Sequence, residues 1–310
     1  MSKITIGHKN PDTDTVCSPI AYSWFLNKKL NLKTTPKIAG EPNKETQFVL
    51  KKFGVPTPEV INKFTEGDEI ILLDTNNPEE LIEGVESTKI IEIVDHHKLV
   101  GGITTNEPIK VTLKPLACTA TIAWQIMKNA GVNDLPKEIA GIMLCAILSD
   151  TLKFTSPTTT DEDKKAVEEL NAINNEDLDK LSSEMFTAKS DLTGMSTKDI
   201  LTVDSKIFPL GGKKVRISVL ETTNPQNALN MKADLLAEII KMKAEDKSDY
   251  FFFFVIDILN SEATLIVTDD SHKKIAEDAF GGKFNEDFLK LPGVVSRKKQ
   301  IVPPLESAIK

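Results

Sequence analysis

Along the first half of the chain, short apolar runs alternate with longer stretches in which apolar residues recur every three or four positions. The short runs at 3–6, 70–73 and 90–94 predict strands. The helical spacing falls at 16–28, 44–53, 119–129, 137–148, 161–172 and 176–186, and Thr158-Thr159-Thr160-Asp161 supplies a capping signal for the helix at 161. Short apolar runs between amphipathic helices imply a mainly parallel sheet covered on both faces. After Thr187 the texture changes. Ala188-Lys189-Ser190-Asp191-Leu192-Thr193-Gly194 is small and polar and reads as a linker. Beyond it, 205–210 and 213–220 flank Gly211-Gly212 and predict a hairpin. A helix at 227–243 follows, then a strand at 250–259 whose partner, 263–268, lies across Asn260-Ser261-Glu262, and a helix at 271–280. The aromatic run at 250–254 continues into Val255-Ile256 and reads as a buried strand rather than a base-stacking surface. The pattern is that of an α/β protein: a mainly parallel sheet flanked by helices at 1–187, a hinge at 188–194, and a smaller α/β domain with a mixed sheet at 195–310.

Length and composition agree with two domains. The chain has 310 residues, 40% hydrophobic and 27% charged, as in globular proteins that bury a sizeable core. A net charge of -8 argues against a general nucleic-acid binder, which needs a broad basic surface, but leaves room for a small anion in a local basic pocket. Cys17, Cys118 and Cys145 sit in apolar contexts with no CxxC spacing, which predicts buried reduced thiols and a cytoplasmic protein. No apolar leader is visible, and the longest uninterrupted apolar run, 139–148, is about half of the roughly 20 residues a membrane helix needs. No membrane association is expected.

The candidate chemistry collects where apolar runs end. Gly7-His8-Lys9-Asn10-Pro11-Asp12-Thr13-Asp14 follows the first run, and Pro11 keeps the segment from continuing as helix, so the loop can aim His8, Asp12 and Asp14 at one place. The run at 70–73 ends in Asp74, the run at 91–94 ends in Asp95-His96-His97, and the helical run at 142–148 closes with Ser149-Asp150. In open α/β sheets ligands bind beyond the carboxyl ends of the strands. Asp74 alone could equally be a turn residue; several such ends carrying metal-ligand types together are harder to explain as turns. Three of the four histidines fall in these segments. The fourth, His272, stands at a polar helix start beside Lys273 and Lys274 and reads as a solvated surface residue. Adjacent residues on extended backbone point opposite ways, so His96 as a ligand leaves His97 for another role. Two histidines with several aspartates exceed one tetrahedral site and suit two ions, about 3.5–4 Å apart, sharing a carboxylate. The basic run Arg297-Lys298-Lys299, taken by itself, is a solvated patch.

Asp95-His96-His97, with His8, Asp12, Asp14, Asp74 and Asp150, resembles the metal-site pattern of the DHH phosphoesterase superfamily. Within it, the segment from Gly7 to Asp14 together with Ser296-Arg297-Lys298-Lys299-Gln300 resembles family II, manganese-dependent inorganic pyrophosphatase, and the resemblance spans the whole chain. It implies that His8 and Asp12 bind one metal, that Asp14, His96 and Asp150 bind a second, and that Asp74 bridges them. Asp95 would orient ligands, His97 would contact the substrate or leaving group, and Lys206, Arg297 and Lys298 would bind phosphate from the second domain. The implied activity is hydrolysis of diphosphate to two orthophosphates by a hydroxide bridging two Mn²⁺ (or Co²⁺) ions, with Mg²⁺ accompanying the substrate. A homodimer through the first domain and closure of the second over the substrate are also implied. Two alternatives stay open: a DHH-family exopolyphosphatase or oligonucleotide phosphodiesterase, and a binding protein without turnover. The former relatives typically carry a glycine- and histidine-rich motif in the second domain, and this sequence has none.

Overall fold

The computed structural model describes residues 3–309; the outermost ends of both expected domains, residues 1, 2 and 310, lie outside them. The chain divides into two compact units, Met1–Ala188 and Lys189–Lys310.

In the first unit the elements run β1 (Lys3–Ile6), α1 (Thr13–Lys29), β2 (Thr34–Ile38), α2 (Lys44–Lys52), β3 (Glu59–Val60), β4 (Glu69–Leu73), β5 (Lys89–Asp95), β6 (Lys110–Leu113), α3 (Thr119–Asn129), α4 (Lys137–Asp150), α5 (Asp161–Asn174) and α6 (Leu178–Lys189). The six strands form one parallel sheet in the order β3-β2-β1-β4-β5-β6. Ile71, Leu73 and Val94 face a core built with α1, α3 and α4, whereas Ile4, Ile6, Ile70, Leu72 and Ile93 face the other way onto Phe64, Leu81 and Ile82. Helices therefore cover one face and connecting segments close the other. Ile70 pairs with Ile90 but Ile71 with Glu92, so Ile91 is an extra residue in β5. This bulge resets the alternation just before the strand reaches its functional end. β2, β3 and β6 were not apparent in the hydrophobic pattern. β3 and β6 are edge strands, and β6 exposes Val111, so there is little selection for an apolar run in either.

β1 and β4 lie side by side at the centre, and the chain leaves β1 toward β2 on one side and β4 toward β5 on the other. The reversal opens a crevice at their carboxyl ends, where α/β sheets bind ligands. Gly7 makes the close approach possible there. A Cβ at this position would lie 2.7 Å from Cγ2 of Thr15 and 2.8 Å from the carbonyl oxygen of Leu73.

The second unit contains α7 (Thr197–Thr202), β7 (Asp204–Leu210), β8 (Lys213–Thr222), α8 (Gln226–Leu229), α9 (Lys232–Asp246), β9 (Tyr250–Asp257), β10 (Glu262–Ile266), α10 (Asp270–Phe280), β11 (Phe288–Pro292) and α11 (Val302–Ala308). Its sheet, β11-β10-β9-β8-β7, is mixed: β8 and β9 are parallel and the other pairs antiparallel. Phe251, Phe252, Phe253 and Phe254 are all fully buried, alternating between cores on the two faces, so this aromatic run offers no surface for stacking a base.

Three sequence expectations change here. The single helix at 227–243 is two helices, because Met231 (φ -94°, ψ 12°) departs from helical geometry between them. Part of the segment read as linker is built in. α6 continues through Lys189, and Ser190 is buried, its hydroxyl accepting from the Thr223 backbone N–H (2.9 Å) and its carbonyl from Asn227 (2.8 Å). His272 is fully buried, not solvated. Its Nε2 accepts the Phe251 backbone N–H at 3.2 Å and its Nδ1 donates to Asp269 at 2.8 Å, with the Tyr250 and Phe252 rings against it. Of the polar neighbours that suggested exposure, Lys274 is exposed and Lys273 reaches Asp287 (3.4 Å), so neither follows His272 inward.

Candidate metal centre

His8 directly follows β1 and its loop, and its Nδ1 donates to the carbonyl of Lys9 (2.7 Å). Nε2 is thereby the nitrogen that faces the carboxylates, 3.5 Å from Asp74 Oδ2 and 3.7 Å from Asp12 Oδ2, and it becomes a ligand when its proton leaves. His96, just past β5, repeats the device: Nδ1 donates to the carbonyl of Leu116 (3.1 Å) and Nε2 lies 3.2 Å from Asp74 Oδ1. Fixing one imidazole nitrogen to an acceptor orients the other as a ligand. Asp74 stands at the hub, fully buried at the end of β4 in a left-handed conformation (φ 64°) that non-glycine residues adopt sparingly and that gathers at functional positions.

Among the described residues, three sets of donor atoms converge, the atoms of each set within 4.8 Å of one another: His8, Asp12 and Asp74; Asp14, His96 and Asp150; and Asp74, His96 and His97. Asp12 caps α1 by accepting the Thr15 backbone N–H at 2.9 Å. Asp14, in the first turn of the same helix, accepts the backbone N–H groups of Thr119 (2.6 Å) and Ala120 (3.1 Å) at the start of α3. Asp150 arrives from the last residue of α4. His97 differs from the other two histidines, because its Nδ1 and backbone N–H both donate to Asp95 Oδ1 (2.9 and 3.0 Å). Asp95 is fully buried and contributes no atom to the three sets; it bonds His97, a member of the third.

The basic residues singled out in the sequence lie in the second unit. Arg297 donates from Nη1 to the carbonyl of Asp204 (3.0 Å) and to its carboxylate (2.7 Å). Lys206 is exposed two residues further along β7, so its side chain leaves the strand on the same face as Asp204. Lys298 is exposed in the turn that opens at Arg297, where Ser296 caps by accepting the Lys299 backbone N–H.

Residues 3–147 match the DHH family, N-terminal domain, and residues 183–308 match the DHHA2 domain. Over 312 residues, covering all of both chains, the sequence is 40% identical to a Bacillus licheniformis protein named "Probable manganese-dependent inorganic pyrophosphatase". A Lactobacillus helveticus protein of the same name is 39% identical, with 99% of this chain and 98% of the relative covered. The fold superposes on a structure described as "Methanococcus jannaschii putative family II inorganic pyrophosphatase", at a TM-score of 0.69 and 36% identity, over 99% of each chain. The chain belongs to the manganese-dependent inorganic pyrophosphatase family.

In this member of the family, the electrostatics of the centre call for cations. Burial, followed by the charge of Asp74, pushes the Asp14 carboxyl up to about 7. Burial and the charges of Asp14, Asp12 and Asp74 raise Asp150 well above the usual carboxylate range. Burial by itself lowers both ligand-type histidines, but hydrogen bonds and charge from Asp12 and Asp74 carry His8 up to about 11, and chiefly Asp74 carries His96 up to about 9. For Asp74, burial raises the pKa, yet the bonds to His8 and His96 outweigh it and hold the carboxyl well below its ordinary value. Crowded carboxylates beside imidazoles whose outer nitrogens are already held make a mixed N/O donor set suited to divalent transition metals.

The structure also adds residues that the motif did not mark. Asn76 donates to Asp95 (2.5 Å) and to the carbonyl of Lys98 (3.1 Å), and its Oδ1 accepts from Val100 N (2.8 Å). Thr15 and Thr119 donate their hydroxyls to the two oxygens of Asp74. Ser18 donates to Asp14, and Cys118, buried just before α3, acts on the Asp150 carboxyl and lowers it against burial. Thr15 and Ser18 are within four residues of Asp14 and could have been found from helical spacing. Thr119, Cys118 and Asn76 carry no local signal.

Proposed function

We propose that this centre holds two Mn²⁺ ions and hydrolyses diphosphate to two orthophosphates. Diphosphate hydrolysis is the reaction of the family to which the chain belongs, and the observation that carries the two-ion reading is the position of Asp74. It shares a donor set with His8 and Asp12, and its other oxygen lies 3.2 Å from the His96 that completes the set of Asp14 and Asp150. His8 and Asp12 hold one ion, Asp14, His96 and Asp150 the other, and Asp74 joins both. Such a pair of ions supplies a nucleophile from water at neutral pH and offsets charge on the transferring phosphoryl group. Mn²⁺ has support in the names of the relatives; Co²⁺ fits the same donors.

The chain's own groups do the rest. Asp95 holds the Nδ1 proton of His97, so His97 Nε2 is the nitrogen free to meet a substrate or leaving-group oxygen. Asp95 supports His97 from behind and touches neither ion. Lys206, Arg297 and Lys298 bind the phosphate groups of a substrate that arrives with Mg²⁺; the Arg297 fork is already set by Asp204. The hinge between the domains 1–187 and 195–310 falls within 188–194, at the end of α6 and ahead of the anchored Ser190, a reading supported by the division at Ala188 and Lys189.

We place the enzyme in the cytoplasm as a homodimer that binds no nucleic acid. Three buried free thiols accord with a reducing compartment. The unpaired edge of β6, where Val111 is half exposed, supports pairing with a second copy, and Val111→Lys should sediment as a monomer. No helix among the described residues is long and apolar enough to cross a membrane.

The deciding experiment measures phosphate release by metal-stripped protein with Mg²⁺ present and Mn²⁺ added or withheld, on diphosphate, polyphosphate and a short oligonucleotide. Mn²⁺-stimulated release from diphosphate alone is expected. Activity confined to the longer substrates would move the protein to its phosphodiesterase and exopolyphosphatase relatives.

A further inference from the structure

Glu45 lies in the first turn of α2, an element that contributes no member to the three donor sets, yet its side chain is fully buried. A carboxylate is expensive to keep out of water unless its oxygens are well used. One oxygen, Oε2, accepts from the Ser149 hydroxyl at 2.8 Å and from the Thr13 hydroxyl at 3.1 Å. Both partners are informative. Thr13 stands between Asp12 and Asp14, and Ser149 immediately precedes Asp150. The three segments are far apart in sequence, with Glu45 32 residues from Thr13 and 104 from Ser149.

The end of the tie at α2 is itself fixed. Asn43 caps the helix by accepting the Thr46 backbone N–H (2.8 Å), and the Thr46 hydroxyl lies 3.1 Å from that of Thr13. A single carboxylate oxygen thus joins the start of α1, which carries Asp12 and Asp14, to the end of α4, which carries Asp150. Both hydroxyls are spent on Glu45, so the contacts act on the placement of the carboxylates beside them. Helix packing alone sets two helix ends to within side-chain tolerance, whereas a shared acceptor sets their separation directly.

We propose that Glu45 is a positioning residue for the metal centre, clamping the ligand-bearing ends of α1 and α4 at the spacing that lets Asp12, Asp14 and Asp150 reach their ions. The inference rests on the two-ion reading given above. Loss of the clamp lowers metal affinity while leaving the phosphate-binding groups of the second unit untouched.

Calorimetric titration of Mn²⁺ alone into metal-stripped protein tests it, beside thermal unfolding of the same samples. Wild-type protein must bind two ions; if it does not, the two-ion reading fails and Glu45 is not the cause. Glu45→Ala is expected to weaken Mn²⁺ binding roughly 10- to 100-fold, the range for groups that orient ligands. Its KM for diphosphate at saturating Mn²⁺ should stay at the wild-type value. Glu45→Gln, whose carbonyl oxygen can accept both hydroxyls, should recover most of the affinity. Ser149→Ala should weaken binding less, and the Glu45→Ala/Ser149→Ala double variant should be no worse than Glu45→Ala, because the two residues share one contact. A melting temperature lowered with Mn²⁺ affinity at the wild-type value would overturn the proposal and leave Glu45 a stability residue. Where Glu45→Ala does not fold, Ser149→Ala decides: wild-type affinity in that variant also overturns it.

Discussion

A single oxygen of Asp95 accepts both the backbone N–H and the Nδ1–H of His97, at 3.0 and 2.9 Å. A carboxylate can only accept, so the proton of His97 is on Nδ1 and its tautomer is fixed. Burial raises the Asp95 pKa, but the His97 and Asn76 bonds outweigh it and hold the group ionised. The same bond from Asp95 raises His97, against burial. Asp95→Asn puts an amide where Asn76 already offers its own N–H, so the side chain must choose between neighbours. We expect kcat to fall about 10- to 100-fold with two Mn²⁺ ions still bound. The acid limb of the pH–rate profile assigned to His97 should move to lower pH. Steady-state kinetics and metal calorimetry on one preparation check all three.

On the proposed two-ion reading, Asp74→Ala removes the carboxylate that joins the two ions. Turnover should fall by roughly three orders of magnitude or more, since several kcal/mol of charge stabilisation depend on the ions and each 1.36 kcal/mol is tenfold. Calorimetry should show both ions weakened; two ions bound at wild-type affinity would remove Asp74 from the bridge. Arg297→Ala makes the contrast, with both ions retained and the loss confined to KM and turnover.

Metal binding should release protons. His8 at about 11 and His96 at about 9 are protonated at neutral pH in the metal-free protein, and Asp14 at about 7 is partly so. Each must lose its proton to act as a ligand. Mn²⁺ affinity should therefore climb as pH rises from 6 toward 9, and titrations in buffers of different ionisation enthalpy should report proton release. Affinity independent of pH across that window would contradict the arrangement.

His272 predicts a pH-dependent stability for the second unit. Burial lowers its pKa below the ordinary 6.5, with Lys243 in the same sense and Asp269 opposing. Its Nε2 is already an acceptor for Phe251 N–H, so protonation places two hydrogens face to face. A histidine with a lowered folded-state pKa contributes stability that is complete above 6.5 and is lost as pH falls through the folded value. Titration of the metal centre also changes stability, so the measurement is the difference in melting temperature between wild type and His272→Gln. That difference should shrink as pH drops below 6.5.

The convergence of His8, Asp12, Asp14, Asp74, His96 and Asp150 was legible because each sits at or beside the end of a predicted element. His8, Asp74 and His96 each follow a strand, and a strand end is marked locally by the loss of apolar residues. The groups that bond these side chains were less visible. Thr119 bonds Asp14 and Asp74 across separations of 105 and 45 residues, and nothing in its own neighbourhood signals those partners. His272 was misread for the same reason, because adjacent lysines report the composition of a helix and not the direction in which one side chain points.

By itself, the sequence determined the alternation of elements, the hydrophobic faces of β4 and β9, and the kinds of ligand available, since these follow from local periodicity and residue chemistry. The tertiary structure decided which carboxylate became the hub, where the sheet reverses to open the crevice, and how Glu45 joins two helix ends. Those outcomes depend on contacts between segments tens to hundreds of residues apart, and only packing brings such segments within hydrogen-bond distance.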